Sequence, residues 1–149
     1  MVFSPTSQAI LDKFFQKAGY GNYFLVDSAG LNPSQEGVFS DLETMRCAST
    51  RGYSLTTRSR KMSMHDFDKH DYVIVIGNHN FQAVYSLVKE EEQKSKILNI
   101  VDFCTNYYLL DFPKLTITNR EDADHLIDIL EDACAGIMEY VTSETFESY

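Results

Sequence analysis

No stretch of this chain is apolar for long enough to cross a bilayer. The longest hydrophobic run is about five residues, against the roughly 20 that a spanning helix needs. The first residues carry neither a charged region nor a long apolar one, so no secretory signal is expected. Cysteine is scarce as well: Cys47, Cys104 and Cys134 are odd in number and show no CxxC spacing. That excludes a disulfide framework and points to reduced thiols, used as small buried hydrophobes, in a cytoplasmic protein. Positive charge is in short supply, with 13 Lys and Arg against 22 Asp and Glu and a net charge of −9. Such a surface repels phosphate backbones and anionic lipid, so neither nucleic acid nor membrane is an expected partner. The four histidines, at 65, 70, 79 and 125, form no convincing metal-ligand spacing with carboxylates. Surface and capping roles are expected for them, and no metal and no cofactor. Internal repeats and low-complexity linkers are absent too.

What is present is enough for one folded domain over residues 1–149. The hydrophobic content of 44%, with aromatics at 13% of the chain, suits a continuous core and is too high for disorder. Ile10, Leu11, Phe14, Phe15 and Ala18 recur at helical spacing, with Ser4 placed to cap and Pro5 at the first helical position. Gly19 to Asn22 ends that helix, and residues 23–26 read as a short buried strand leading into Asp27-Ser28-Ala29-Gly30. Asn32 to Gly37 reads as a loop, after which Asp41 caps a helix carrying Leu42, Met45 and Ala48 that Gly52 terminates. Ser63-Met64-His65-Asp66 is a capping box with Asp in place of Glu, opening one short turn.

The run Tyr72-Val73-Ile74-Val75-Ile76 predicts a parallel strand covered on both faces. A helix is predicted over 80–92, with Asn80 as its cap, Phe81, Val84, Tyr85 and Val88 on one face, and Glu90-Glu91-Glu92 as its solvated end. Residues 96–100 make another strand. Leu126, Ile129, Leu130, Ala133, Cys134, Ile137, Met138 and Val141 follow the i, i+3, i+4 rule over four turns of a closing helix. Strands alternating with helices imply an α/β fold in three layers, a parallel sheet flanked by helices, with its ligand site at the carboxyl ends of the strands. About three strands are legible where four or more are usual for such a sheet.

The order of these pieces carries a resemblance. SPTSQAILDKFF, VDSAG, the helix ending RGYSL, RSRKMSMHDFDKHDYVIVIGNHNF and the closing LIDILEDACAGIMEYV resemble the low-molecular-weight protein tyrosine phosphatase family. In that family SPxAEA follows the phosphate loop, DSAG ends the second strand, and RQ(I/L)TxxDFxxFDYI(L)xMDxxN runs through the third. Arg60, Asp66, Phe67, Asp71, Tyr72 and Asn80 fall on the matching positions without gaps. The similarity extends from Ser4 to about Val141.

The resemblance implies a phosphotyrosine protein or a small phosphomonoester as substrate, and a Cys-x5-Arg-Ser loop between the first strand and first helix. The loop's thiolate attacks phosphorus, its pKa lowered by backbone N–H groups and a helix N-terminus. The arginine forks onto two phosphoryl oxygens, and an aspartate in an Asp-Pro-Tyr-Tyr loop protonates the leaving phenol. Here the arginine position is Phe3. Six positions after Cys47, Cys104 and Cys134 stand Tyr53, Leu110 and Tyr140, so no cysteine of this sequence opens such a loop. Cys47-Ala-Ser-Thr-Arg51 places both residues within a helix, which does not suit catalysis.

The acid loop corresponds to Asp111-Phe112-Pro113-Lys114-Leu115, with Asp111 the candidate general acid and the cleft tyrosines gone, Tyr107 and Tyr108 lying earlier. Ile76-Gly77 replaces the Met-Asp that follows the third strand. Ser4 and Ser28 remain from the phosphate-loop region, Ser28 now expected to cap a turn.

Three readings follow. The first is a non-catalytic member of the family, missing the first central strand as well as the loop. The second is a tyrosine phosphatase whose N-terminal loop is missing from this chain, although Phe3 is already wrong for a plain truncation. The third is an interaction module on the same scaffold. Loss of the central strand would leave exposed sheet edges and an apolar groove. A protein partner or self-association is expected to cover them.

Overall fold

Proline fixes φ near the helical value and has no N–H to lose, which suits it to the first turn of a helix. Helix α1 accordingly begins at its proline, Pro5–Lys17. The computed structural model describes residues 5–30, 42–55, 60–113 and 117–146. The expected cap Ser4, Phe3, the 32–37 loop and Asp41 lie outside these. Gly19 ends α1 with φ +85°, a conformation that favours glycine. The other elements are α2 (Leu42–Thr50), α3 (His65–Lys69), β1 (Val73–Val75), α4 (Asn78–Leu87), α5 (Glu91–Lys94), β2 (Ile97–Asn99), a 3-10 turn (Ile100–Phe103) and α6 (Arg120–Phe146).

Strands β1 and β2 are parallel, Val73 opposite Ile97 and Val75 opposite Asn99, with α4 between them in the chain. Side chains alternate across a strand, and β1 is buried on both sides. Ile74 joins a core of Ile10, Leu11, Phe15, Cys47, Ile127, Leu130 and Ile137 from α1, α2 and α6. Val73 and Val75 join a separate core with Phe67, Val84, Val88 and Ile97 under α3 and α4. Two cores on opposite faces of one parallel sheet make the three layers expected.

The sheet is smaller than expected. Among the described residues it has two strands, not three. Residues 23–26 are predicted as a strand, but residues 24–29 belong to no ladder; the segment's one strand-like pairing among the described residues is the parallel bridge of Gly30 with Lys61. Among the described residues the segment has no neighbouring strand to bond it. Alternate residues of a parallel strand address opposite neighbours, so Ile74 turns its N–H and C=O away from β2. No described residue bonds to them there. A groove of about 480 Å³ lies instead between residues 23–26 and 69–72, with Phe15 and Val141 among its lining. Leu25 stands 77% exposed beside it.

The predicted helix over 80–92 is two helices. Val88 is nearly fully buried and extended at φ −103°, ψ 131°, so burial in the α4 core breaks the helix there. Asn80, expected as cap, lies inside the first turn and donates from Nδ2 to Ile76 O at 2.9 Å. The glutamates open α5 rather than close α4, where their charge suits the helix dipole. The capping box before α3 is half formed: Ser63 N donates to Asp66 Oδ2 at 2.9 Å, and no side chain caps the helix.

Candidate functional site

The carboxyl ends of β1 and β2 are where a fold of this kind holds its ligand. Gly77 follows β1 with φ +98°, and a Cβ there would meet Asp111 Oδ1 at 3.5 Å. Asn78 N donates to that same oxygen at 2.7 Å, as does Phe112 N. Asp111 thus caps α4 from a distant loop, at the helix end whose free N–H groups attract a carboxylate. Asn78 Nδ2 donates to Leu110 O at 3.2 Å, and Asn99 Nδ2, at the end of β2, donates to Asn78 Oδ1 at 2.7 Å. Loop, helix start and strand end are tied in one network.

Asp111 is exposed, next to the carboxyl end of β1. Its Oδ1, however, is engaged as an acceptor. Tyr107 is half-buried and packs edge-on against His125, while Tyr108 is 94% exposed.

Ser28 is buried, and its hydroxyl bonds to α1 in place of the turn cap expected from the sequence. Its Oγ donates to Gln8 Oε1 at 2.6 Å, and Gln8 Nε2 donates to Val26 O at 3.1 Å. One amide of α1 clamps the extended segment that no strand holds. Among the described residues Ser28 bonds to α1 and Asp111 to the start of α4, and no hydrogen bond or ion pair joins the two directly. Ser4 is outside the described residues.

The three thiols are unsuited to nucleophilic work. Burial pushes Cys47 up from its ordinary value, with Asp124 adding to the effect. Burial drives Cys104 up to about 11, and Cys134, wholly enclosed, higher still. A nucleophilic cysteine needs the opposite shift, toward the thiolate. Cys47 lies within α2, as expected, and its Sγ points to Arg120 O at 3.6 Å. Arg51, which follows that helix, is committed to Asp124, Asp128 and Glu131 of α6.

A second cluster went unread in the sequence. Arg60 Nη2 donates to Asp27 Oδ2 at 2.7 Å and to Asp66 Oδ1 at 2.8 Å. Burial works against both carboxylates, yet the Arg60 guanidinium and backbone N–H donors hold each below its usual value. His70 caps α3 by its backbone, donating to Asp66 O at 3.2 Å, so a capping role is met. Its side chain is not at the surface. It is 8% exposed, and its Nε2 has no hydrogen-bond partner, 3.8 Å from Asp66 Oδ1. Burial lowers its pKa. The available signal was the i, i+4 spacing of Asp66 and His70; the arrival of Asp27 is a product of the fold.

Comparison with known proteins agrees with this architecture. The chain matches the family described as low molecular weight phosphotyrosine protein phosphatase over residues 1–146. It is 24% identical over 143 residues to the low molecular weight protein-tyrosine-phosphatase of Streptomyces coelicolor, covering 95% of this chain and 87% of that protein. A crystal structure of a protein tyrosine phosphatase from Entamoeba histolytica superposes with a TM-score of 0.88 at 28% identity, covering 97% of this chain and 92% of the other. YfkJ from Bacillus subtilis shares the fold, with a TM-score of 0.83 at 23% identity over 96% and 89% of the two chains. With the cores, the parallel strands and the carboxyl-end loop arranged as described, the chain belongs to the low molecular weight phosphotyrosine protein phosphatase family.

Proposed function

We propose that these 149 residues form a phosphatase-family domain that does not hydrolyse phosphomonoesters through a cysteinyl-phosphate. The observation that carries this reading is the state of the thiols: none has an arginine six positions on, and all three are shifted away from the thiolate. Without a thiolate no covalent phosphoryl intermediate forms. Without a forked arginine the transition-state charge loses stabilisation typically worth about 3 kcal/mol. Arg51 and Arg60 cannot substitute while paired to carboxylates, because each guanidinium is already engaged. Asp111 would have a leaving group to protonate only after attack had begun.

The family and its protein-tyrosine-phosphatase relatives support phosphotyrosine as the ligand class such a domain would face. The test is turnover of p-nitrophenyl phosphate by the purified chain, with and without vanadate. The expected result is a rate equal to that of a variant with all three cysteines changed to serine, and no effect of vanadate. Vanadate-sensitive turnover above that variant overturns the reading.

A further inference from the structure

We propose that Asp27, Asp66 and His70 form a binding site for a divalent transition-metal ion of the zinc type, taken in exchange for the guanidinium of Arg60. Each of the three offers one ligand atom, and these atoms lie within 4.8 Å of one another. The donors come from two places that only the fold unites: the extended segment carrying Asp27, and one turn of α3 with its cap carrying Asp66 and His70. Asp66 and His70 are four residues apart, the spacing that sets two side chains on one helical face.

Two features point to a cation beyond the one in place. The first is His70 Nε2, buried and without a hydrogen-bond partner. A buried polar atom left unpaired carries a desolvation cost that a metal bond would remove. With its proton on Nδ1, the neutral ring presents the Nε2 lone pair toward the two carboxylates, the form in which imidazole ligates metals.

The second feature is charge. Asp27 and Asp66 bring two negative charges and Arg60 returns one, so these three side chains by themselves sum to −1. A dication in place of the guanidinium balances the two carboxylates and also engages the imidazole, which the guanidinium does not.

The donor set of one nitrogen and two oxygens suits zinc or cobalt rather than magnesium or calcium, which prefer oxygen alone. Three protein ligands leave a fourth position for water. Zinc bonds of roughly 2.0–2.2 Å in tetrahedral geometry set ligand atoms roughly 3.4 Å apart, so separations of up to 4.8 Å must contract by as much as roughly 1.4 Å. Short α3 and the unpaired segment 24–29 are the elements that would move. Arg60 is able to leave, because its side chain is 35% exposed and its charge is readily hydrated outside the cluster.

The experiment is a titration of the purified chain with Co2+, read by the visible absorption of tetrahedral cobalt, and with Zn2+, read by the melting temperature. The wild-type chain is expected to show the tetrahedral band and a raised melting temperature. His70→Phe removes the nitrogen and leaves the Arg60 ion pairs in place, and it is expected to lose both signals. Arg60→Gln removes the competitor and is expected to bind at least about tenfold more tightly. If Arg60→Gln fails to fold, wild type against His70→Phe decides alone. The proposal is overturned if wild type gives neither signal, if His70→Phe binds as tightly as wild type, or if a cobalt–thiolate charge-transfer band shows that cysteines hold the metal.

Discussion

Gly136→Ala lowers the stability of this domain by about 3 kcal/mol or more, although alanine is the better helix former. In an exposed helix interior the change would gain about 0.5–1 kcal/mol. Gly136 instead lies where α6 presses on the 3-10 turn. A Cβ there would collide with Phe103 O and stand 3.0 Å from Phe103 C. Those atoms are backbone, so no side chain can rotate away and either the helix or the turn must shift. Overpacking of this kind costs about 1–3 kcal/mol in ordinary cores and more where backbone is struck. The turn is pinned by β2 before it and by the loop held on Asp132 after it, which puts this site at the upper end. Urea denaturation measures the effect as a fall in midpoint at constant slope. A midpoint equal to wild type's would show that the turn yields freely, and the account of this contact would be wrong.

Asp132→Ala costs about 2–3 kcal/mol and loosens the segment that carries Asp111. Buried in α6, Asp132 accepts three backbone donors on Oδ2: Thr105 N at 3.0 Å, Asn106 N at 3.0 Å and Tyr107 N at 3.2 Å. Thr105 Oγ1 donates to its other oxygen at 3.0 Å. Hydrogen bonds to a charged group contribute about 1.5–3 kcal/mol each. Their sum is not lost, because Thr105 and Asn106 are exposed and water can take over their N–H groups. The local effect is larger than the global one. Amide hydrogen exchange at 105–107 is expected to approach unprotected rates while α6 and β1 keep their protection. Unchanged protection at those three amides would contradict this role for Asp132. Asp132→Asn, which keeps one acceptor oxygen, is expected to fall between alanine and wild type in both measurements.

The parts of the fold that were legible from residues alone are those set by one-dimensional burial. The apolar stripe from Leu126 to Val141 gave α6, and the run around Ile74 gave a strand buried on both faces. What failed was pairing. An apolar tetrapeptide at 23–26 reports that a segment is extended and partly buried, and says nothing of whether a neighbour exists to bond it. Val88 failed for a related reason: its place in the apolar pattern suited a helix, and only the core beneath it favoured an extended backbone. At the site, the family pattern led to Asp111, which lies beside Gly77 and Asn78 just after β1. Gln8 and Ser28, 20 residues apart, and Asp27 with His70 could not be matched in advance. Their partners are chosen by how segments settle in space.

The dependence of one core on α6 has a consequence for synthesis. Helices α1 and α2 and the 3-10 turn all pack on this helix, which follows every one of them in the chain. The apolar faces of Ile10, Leu11 and Phe15 therefore wait on the ribosome for about a hundred further residues, which at roughly 5–20 residues per second is roughly 5–20 s. During that time α3, β1, α4 and β2 can already close the other core from neighbouring segments. The nascent chain would emerge half folded, its sheet covered on one face and still apolar and open on the other.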